Sequence, residues 1–305
     1  MVGATTWRLV LAGILAGLAG TGIQPSLAQA HEFWLAPSVY DAHAGDTVRV
    51  LAFSGAGFRG ESRRFARGRV VRLVASGVEP ADLAGAGVDG DSVFASIALR
   101  DARGSLIAYE SNAATIELPG PEFDAYLEQA GLDVPRALRR AEGARSDVQR
   151  ERYARCAKTW VSGSASRRAT AVTGLTLELV PLRDPSREGR LLLRVLFRGR
   201  PLPGGLVRAW RQPLGPGPIL RGRALRDPVG ALAEARSDEE GIVRLDAPEA
   251  GEWLVSCVHM VRSENPAESD WQSWWASLTF ARPPVAGSRR RGLDRDGAIA
   301  PPSRP

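Results

Sequence analysis

Short extended runs broken by Gly, Asp and Ser fill the chain from Glu32 to Leu118. Thr47–Phe53 follows a Gly45-Asp46 turn, Val70–Val74 is apolar nearly throughout, and Ser92–Leu99 alternates in part. Each reads as a strand, and Gly104–Tyr109 and Ala114–Leu118 extend the series. The period then changes. After Pro119-Gly120-Pro121, the residues Phe123, Tyr126, Leu127 and Ala130 fall at i, i+3, i+4 and i+7, the spacing of one helix face. Gly131 is placed to close that helix. From about Pro135 to Lys158 a highly charged stretch with Glu142, Glu151 and many arginines reads as a second, mostly solvated helix, making a connecting hairpin.

Strands resume after Ala171. Leu175–Val180 alternates apolar with polar, Leu191–Phe197 follows a Glu188-Gly189 turn, and Gly205–Trp210 follows Pro201-Leu202-Pro203. Ser237–Leu245 is a turn feeding a strand, in which Asp238 is placed to accept from the backbone two residues on and Gly241 to take a positive φ. Gly251–His259 and Trp274–Phe280 complete six strands at near-regular spacing, the pattern of a β-sandwich of roughly 100 residues. The expected fold is mainly β: an N-terminal β-sandwich-like domain at 31–118, a helical connecting segment at 119–170, and a C-terminal Ig-like sandwich at 171–282.

The two ends are of another kind. Arg8 precedes the apolar run Leu9–Gly20, and Ser26-Leu-Ala-Gln-Ala30 ends it, which is the pattern of a secretory leader at 1–30. The run is too short for a membrane span. Ala28 and Ala30 as the small-residue pair put the cut before His31. Ser26 and Ala28 would instead leave Gln29-Ala30-His31. The expected location is therefore the periplasm or the exterior. Residues 283–305 form a basic, Pro-rich tail without periodicity, which reads as disordered. The net charge of +6 is largely an effect of these ends. Arg8 and the tail's five Arg against two Asp account for most of it, leaving about +2 on the body, which argues against a nucleic-acid partner. Two cysteines, Cys156 and Cys257, would enter an oxidising compartment either as one disulfide or as two buried thiols.

The segments Gly199–Val207, Ser237–Leu245 and Gly251–Ser256, in that order, resemble the carboxypeptidase-regulatory and Cna-B-like sandwiches. More widely, His31-Glu-Phe-Trp-Leu-Ala-Pro37, Glu151–Lys158, Leu177–Pro181, Val258-His259-Met260 and Asp270–Phe280 resemble the DUF4198 family, which is grouped with NikM-like nickel-uptake substrate-specific components. That resemblance covers the chain from His31 to about Arg282. It implies handling of a transition metal, with a metal ion and an inner- or outer-membrane transporter as partners.

Candidate chemistry is sparse. There is no C-x-x-C, H-E-x-x-H, P-loop or G-x-S-x-G, and the histidines are His31, His43 and His259 alone. As residue one, His31 offers an α-amine and an imidazole, a chelate suited to Ni2+, Cu2+ or Co2+. His259, near the end of a strand, is the candidate second imidazole, and Asp270 a candidate carboxylate. With the earlier cut, Gln29-Ala30-His31 makes a square-planar nitrogen set. His43 sits in a polar turn and reads as exposed. Cys257 and His259 share a strand face, a weak signal for a soft copper site. The expected function is a periplasmic metal-binding accessory protein, not an enzyme. Two alternatives stand beside it. One is a glycan- or protein-binding envelope module using Trp271, Trp274 and Trp275. The other is a copper-dependent oxidase, for which no axial tyrosine is evident near His259.

Overall fold

The computed structural model describes residues 32–284 except 42, 77–82, 144–146, 165, 188 and 215–229. The expected leader, His31 and all but the first two residues of the expected tail lie outside the described residues. The chain runs β1 (Glu32–Pro37), β2 (Thr47–Ala56), β3 (Arg59–Arg63), β4 (Val70–Ala75), β5 (Val93–Ala98), β6 (Ser105–Ser111), β7 (Ala114–Leu118), α1 (Gly120–Gln129), α2 (Asp133–Ala141) and β8 (Gln149–Val161). It continues with β9 (Leu177–Pro181), β10 (Arg190–Phe197), β11 (Arg200–Pro201), β12 (Leu206–Gln212), β13 (Ala233–Arg236), β14 (Ile242–Asp246), β15 (Gly251–Arg262) and β16 (Trp271–Arg282). The fold is mainly β, as the alternation predicts.

Three sheets stack. The central one has eight strands in the order β13-β12-β15-β16-β8-β6-β4, with β7 also on β8. One four-stranded sheet holds β1, β2, β3 and β5, and the other holds β9, β10, β11 and β14. Side-chain parity assigns each core to a face. Cys156, Trp160, Val255, Cys257, Trp274, Ala276 and Leu278 face the β9–β10–β14 sheet. Ile107, Tyr109, Ala157 and Val161 face β1, β2 and β5. Farther along that second face, α1 packs Phe123, Tyr126 and Leu127 on Met260, Trp271 and Trp275. A sheet covered on both faces needs apolar residues at both parities, which is why Trp274 and Trp275 stand side by side and both are buried. The three tryptophans of β16 are therefore packing residues and offer no exposed platform to a glycan.

The structure corrects the sequence reading at β8. Helix in the expected connecting segment is confined to α1, α2 and one turn at Ser166–Ala169. Gln149–Val161 is instead a strand inside the central sheet, antiparallel to β6 and parallel to β16. Its charges mimic a solvated helix because they are buried with partners. Lys158 Nζ lies 2.8 Å from Glu178 Oε1, and neither residue is measurably exposed. Glu151 accepts from Tyr126 Oη at 3.0 Å and from Ser273 Oγ. As a result, strands from both sides of residue 171 share one sheet.

Smaller expectations fare unevenly. Gly131 follows α1 with φ of 67°, the left-handed cap expected of it. In the turn before β14, Gly241 has φ of 74°, but Asp238 Oδ1 accepts from Ile242 N, four residues on rather than two, at 2.7 Å. Both cysteines are free and buried.

Candidate functional site

β1 enters the molecule edgewise. All six of its residues are buried, it pairs with β2 along Glu32↔Gly55 to Pro37↔Val50, and the Leu35 carbonyl accepts from Thr279 Oγ1 of β16 at 2.6 Å. Successive side chains point to opposite sides of a strand, so β1 divides the space over the central sheet. Trp34 and Ala36 pack toward Trp210 and Leu254, whereas Phe33 and Leu35 pack toward Tyr109 and Ala157. Each side holds a cavity, one lined by Glu32 and the other by Phe33.

The cavity on the Glu32 side has a volume of about 350 Å³ and is walled by Gly57, Arg208, Trp210, Ser256 and Trp275. Glu32 is itself 9% exposed, and its Oε2 is buried with no hydrogen-bond partner among the described residues. Burial pushes its carboxyl up to about 7, opposed by backbone hydrogen bonds and by the charges of Arg155 and Arg208. Arg208 does not close onto it as an ion pair. Its Nε donates to Glu234 at 3.1 Å and its Nη1 to the Gln129 carbonyl at 2.8 Å. A buried carboxyl oxygen left unpaired is costly and marks a place where a cation or donor would be welcome.

Of the residues singled out from sequence, His31 lies outside the described residues. His259 of β15 is half-buried, with its ring edge-on to Phe197 of β10 at 4.4 Å between centroids. It therefore faces the β9–β10–β14 sheet, the side of the central sheet away from Glu32. Burial, then the Arg198 charge, lowers its pKa and keeps the imidazole neutral. Asp270 lies beyond the far end of the same hairpin, where its carbonyl accepts from Ser263 N at 3.1 Å. Four residues of strand separate Ser263 from His259, about 13 Å, so the structure does not bring His259 and Asp270 together. The Asp270 carboxylate is already engaged, accepting from Arg150 N at 2.8 Å and pairing with its guanidinium at 3.2 Å. Burial pushes Asp270 up, but those contacts outweigh it and hold the carboxyl low. His43 is exposed beside Asp46, as expected. Among the described residues, no three His, Cys, Asp or Glu side chains are grouped to hold a metal. Glu32 itself was missed in the sequence. Its signal is an acid set between His31 and the apolar run Phe33-Trp34-Leu35, in a strand whose every position is buried.

The model of a family described as a domain of unknown function, DUF4198, matches residues 28–261. The chain belongs to this family. No curated protein matches it. Among solved structures, the D0-D1 domain of intimin aligns with 9% identity over 82% of this chain and 97% of that chain, at a TM-score of 0.18. That likeness is too slight to support an argument. The DUF4198 match takes in Glu32, Arg208 and Ser256 and ends within β15, so Asp270 and the whole of β16 lie beyond it.

Proposed function

We propose that this DUF4198 protein is exported to the cell envelope and captures a divalent transition-metal ion, Ni2+, Co2+ or Cu2+, at its processed N-terminus for delivery to an uptake system. The observation that supports this reading most is the Glu32 carboxyl, buried beside a cavity with one oxygen unpaired. Glu32 is peptide-bonded to His31. Cleavage after Ala30 frees the His31 α-amine, so two consecutive residues supply an amine, an imidazole and a carboxylate. Two nitrogen donors and one oxygen suit Ni2+ and Cu2+, and a bound cation would give the unpartnered Glu32 Oε2 a contact.

His259 and Asp270 are left out of this donor set. The first faces the other side of the central sheet, and the second is neutralised by Arg150. A copper-oxidase role built on His31 and His259 loses its second imidazole for the same reason. Cleavage after Ala28 would leave Gln29-Ala30-His31, whose amine, amides and imidazole would hold the ion without Glu32.

Intact mass of the secreted protein fixes residue one, and calorimetric titration of that form with Ni2+ and Cu2+ tests the site. The expected result is submicromolar binding that disappears in His31→Ala, disappears when an extra residue precedes His31, and weakens at least tenfold in Glu32→Gln. Binding no tighter than micromolar, or binding indifferent to His31→Ala, overturns the reading.

A further inference from the structure

We propose that the cavity on the other side of β1 binds a small multivalent oxyanion, carboxylate- or phosphate-bearing, through Arg63, Arg64, Arg69 and Arg155. This cavity measures about 340 Å³, within the size range of small-molecule pockets. Besides the four arginines, Ser54, Ser111, Tyr109, Tyr153, Phe33 and Phe94 line it, and no carboxylate does.

Two of the guanidinium groups, those of Arg64 and Arg69, are held by backbone carbonyls. Arg64 Nη1 donates to the Gly90 carbonyl at 2.7 Å. Arg69 donates to the carbonyls of Ala113 and Asn112 at 3.2 and 3.3 Å. Carbonyls orient a guanidinium but carry no formal charge, and among the described residues Arg63, Arg64 and Arg69 have no carboxylate partner. Arg155 forms the floor, stacked over Tyr153 at 4.8 Å and Trp275 at 5.0 Å. The charges of Glu151 and Glu32 lie near Arg155, outside the cavity lining. Like charges gathered around a cavity repel one another and raise the local concentration of anions. Arginine forks are matched to the planar or tetrahedral oxygens of carboxylate and phosphate.

The hydroxyl lining points the same way. Burial pushes the Tyr109 phenol up to about 12, so it stays protonated and can donate. The Ser111 hydroxyl is already used, accepting from Arg155 N at 3.0 Å and donating to the Asn112 carbonyl at 2.8 Å. It fixes the strand on which Arg155 sits. Phe33 and Phe94, whose centroids are 6.2 Å apart, give the wall an apolar portion that an organic carboxylate would cover and inorganic phosphate would not.

The test is calorimetric titration of the full chain at low salt with inorganic phosphate and, separately, with tricarballylate, a tricarboxylate that chelates metals weakly. Arg63→Ala/Arg69→Gln removes two charges from the rim and leaves Arg155 in place. The expected result is saturable one-site binding of at least one probe, weakened tenfold or more in the double variant while its circular dichroism is unchanged. Tighter phosphate binding assigns a phosphoryl ligand, and tighter tricarballylate binding an organic carboxylate. Arg190→Gln, at the start of β10 in the opposite sheet, leaves the affinity unaltered. Failure of both probes to saturate by concentrations on the order of 10 mM, or equal affinity in the double variant, overturns the proposal.

Discussion

Cys156 of β8 and Cys257 of β15 stand in one row of the central sheet, each paired with Ala276 of the intervening β16. Two strand spacings separate them, about 9–10 Å, whereas a disulfide needs Cα atoms within roughly 7 Å. Burial pushes both thiols up, Cys257 to about 12. Both are therefore expected to stay reduced and unreactive even in an oxidising compartment. A thiol reagent should modify neither in the native protein and both in denaturant. A disulfide-linked mass in the non-reduced protein would contradict the arrangement.

The buried Lys158–Glu178 pair predicts a mutant asymmetry. Glu178 also accepts from Thr173 N and Oγ1 and from Gly174 N, at 2.7, 2.8 and 3.0 Å. Removing Lys158 alone leaves a buried carboxylate without its cation, so Lys158→Met should cost about 3–5 kcal/mol. Lys158→Met/Glu178→Gln should cost clearly less than the sum of the single changes. Denaturant midpoints of the three variants measure this, and strict additivity would count against the pairing.

That pair also sets an acid limit. Burial pushes Glu178 up, but the Lys158 ammonium and the hydrogen bonds outweigh it and hold the carboxyl below its ordinary value. A depressed carboxyl contributes stability that is complete above the ordinary carboxylate range and is lost as pH falls through the lowered value. Wild type should therefore lose more stability below pH 4 than Glu178→Gln does.

Glu32 behaves in the opposite sense. Its carboxyl is raised to about 7 from an ordinary value of 4.5, so the favourable contribution of its protonated form is complete below the ordinary range and disappears as pH rises through 7. The shift is equivalent to about 3 kcal/mol. Metal-free Glu32→Gln should match wild type near pH 4 and exceed it at pH 8. Parallel pH profiles for the two proteins would rule out a buried, uncompensated acid.

His259 offers a cleaner separation of roles. Its neutral imidazole packs on Phe197 and lies on the face away from Glu32. His259→Gln should reduce stability by about 1 kcal/mol through the lost aromatic contact and leave Ni2+ and Cu2+ affinity of the processed chain unchanged. A loss of metal binding in that variant would return His259 to the donor set.

Much of the fold was legible because alternation survives wherever one face is less buried, as in β2 and β14, and because Gly131 and Gly241 occupy positions that require positive φ. β8 was not legible. Its Glu151, Arg155 and Lys158 satisfy a helix pattern as readily as a strand, and only residues far along the chain, Tyr126, Ser273 and Glu178, explain how they are buried. β3 and β13 have mostly half-exposed or exposed residues and a weak apolar signal. The two cavities were hidden for the same reason as β8. Glu32 meets Arg208 and Trp275, and Arg63 meets Arg155, only through sheet pairings that no local pattern records.

The parallel union of β8 with β16 joins residues 120 positions apart, with β1 seated against both strands. A sheet completed by its most distant partners forms slowly, since loop closure must precede the contacts that repay it. Until Trp271–Arg282 is available, β1 has no finished surface to seat on. Docking of β1, all six residues of which are buried, therefore comes late in folding.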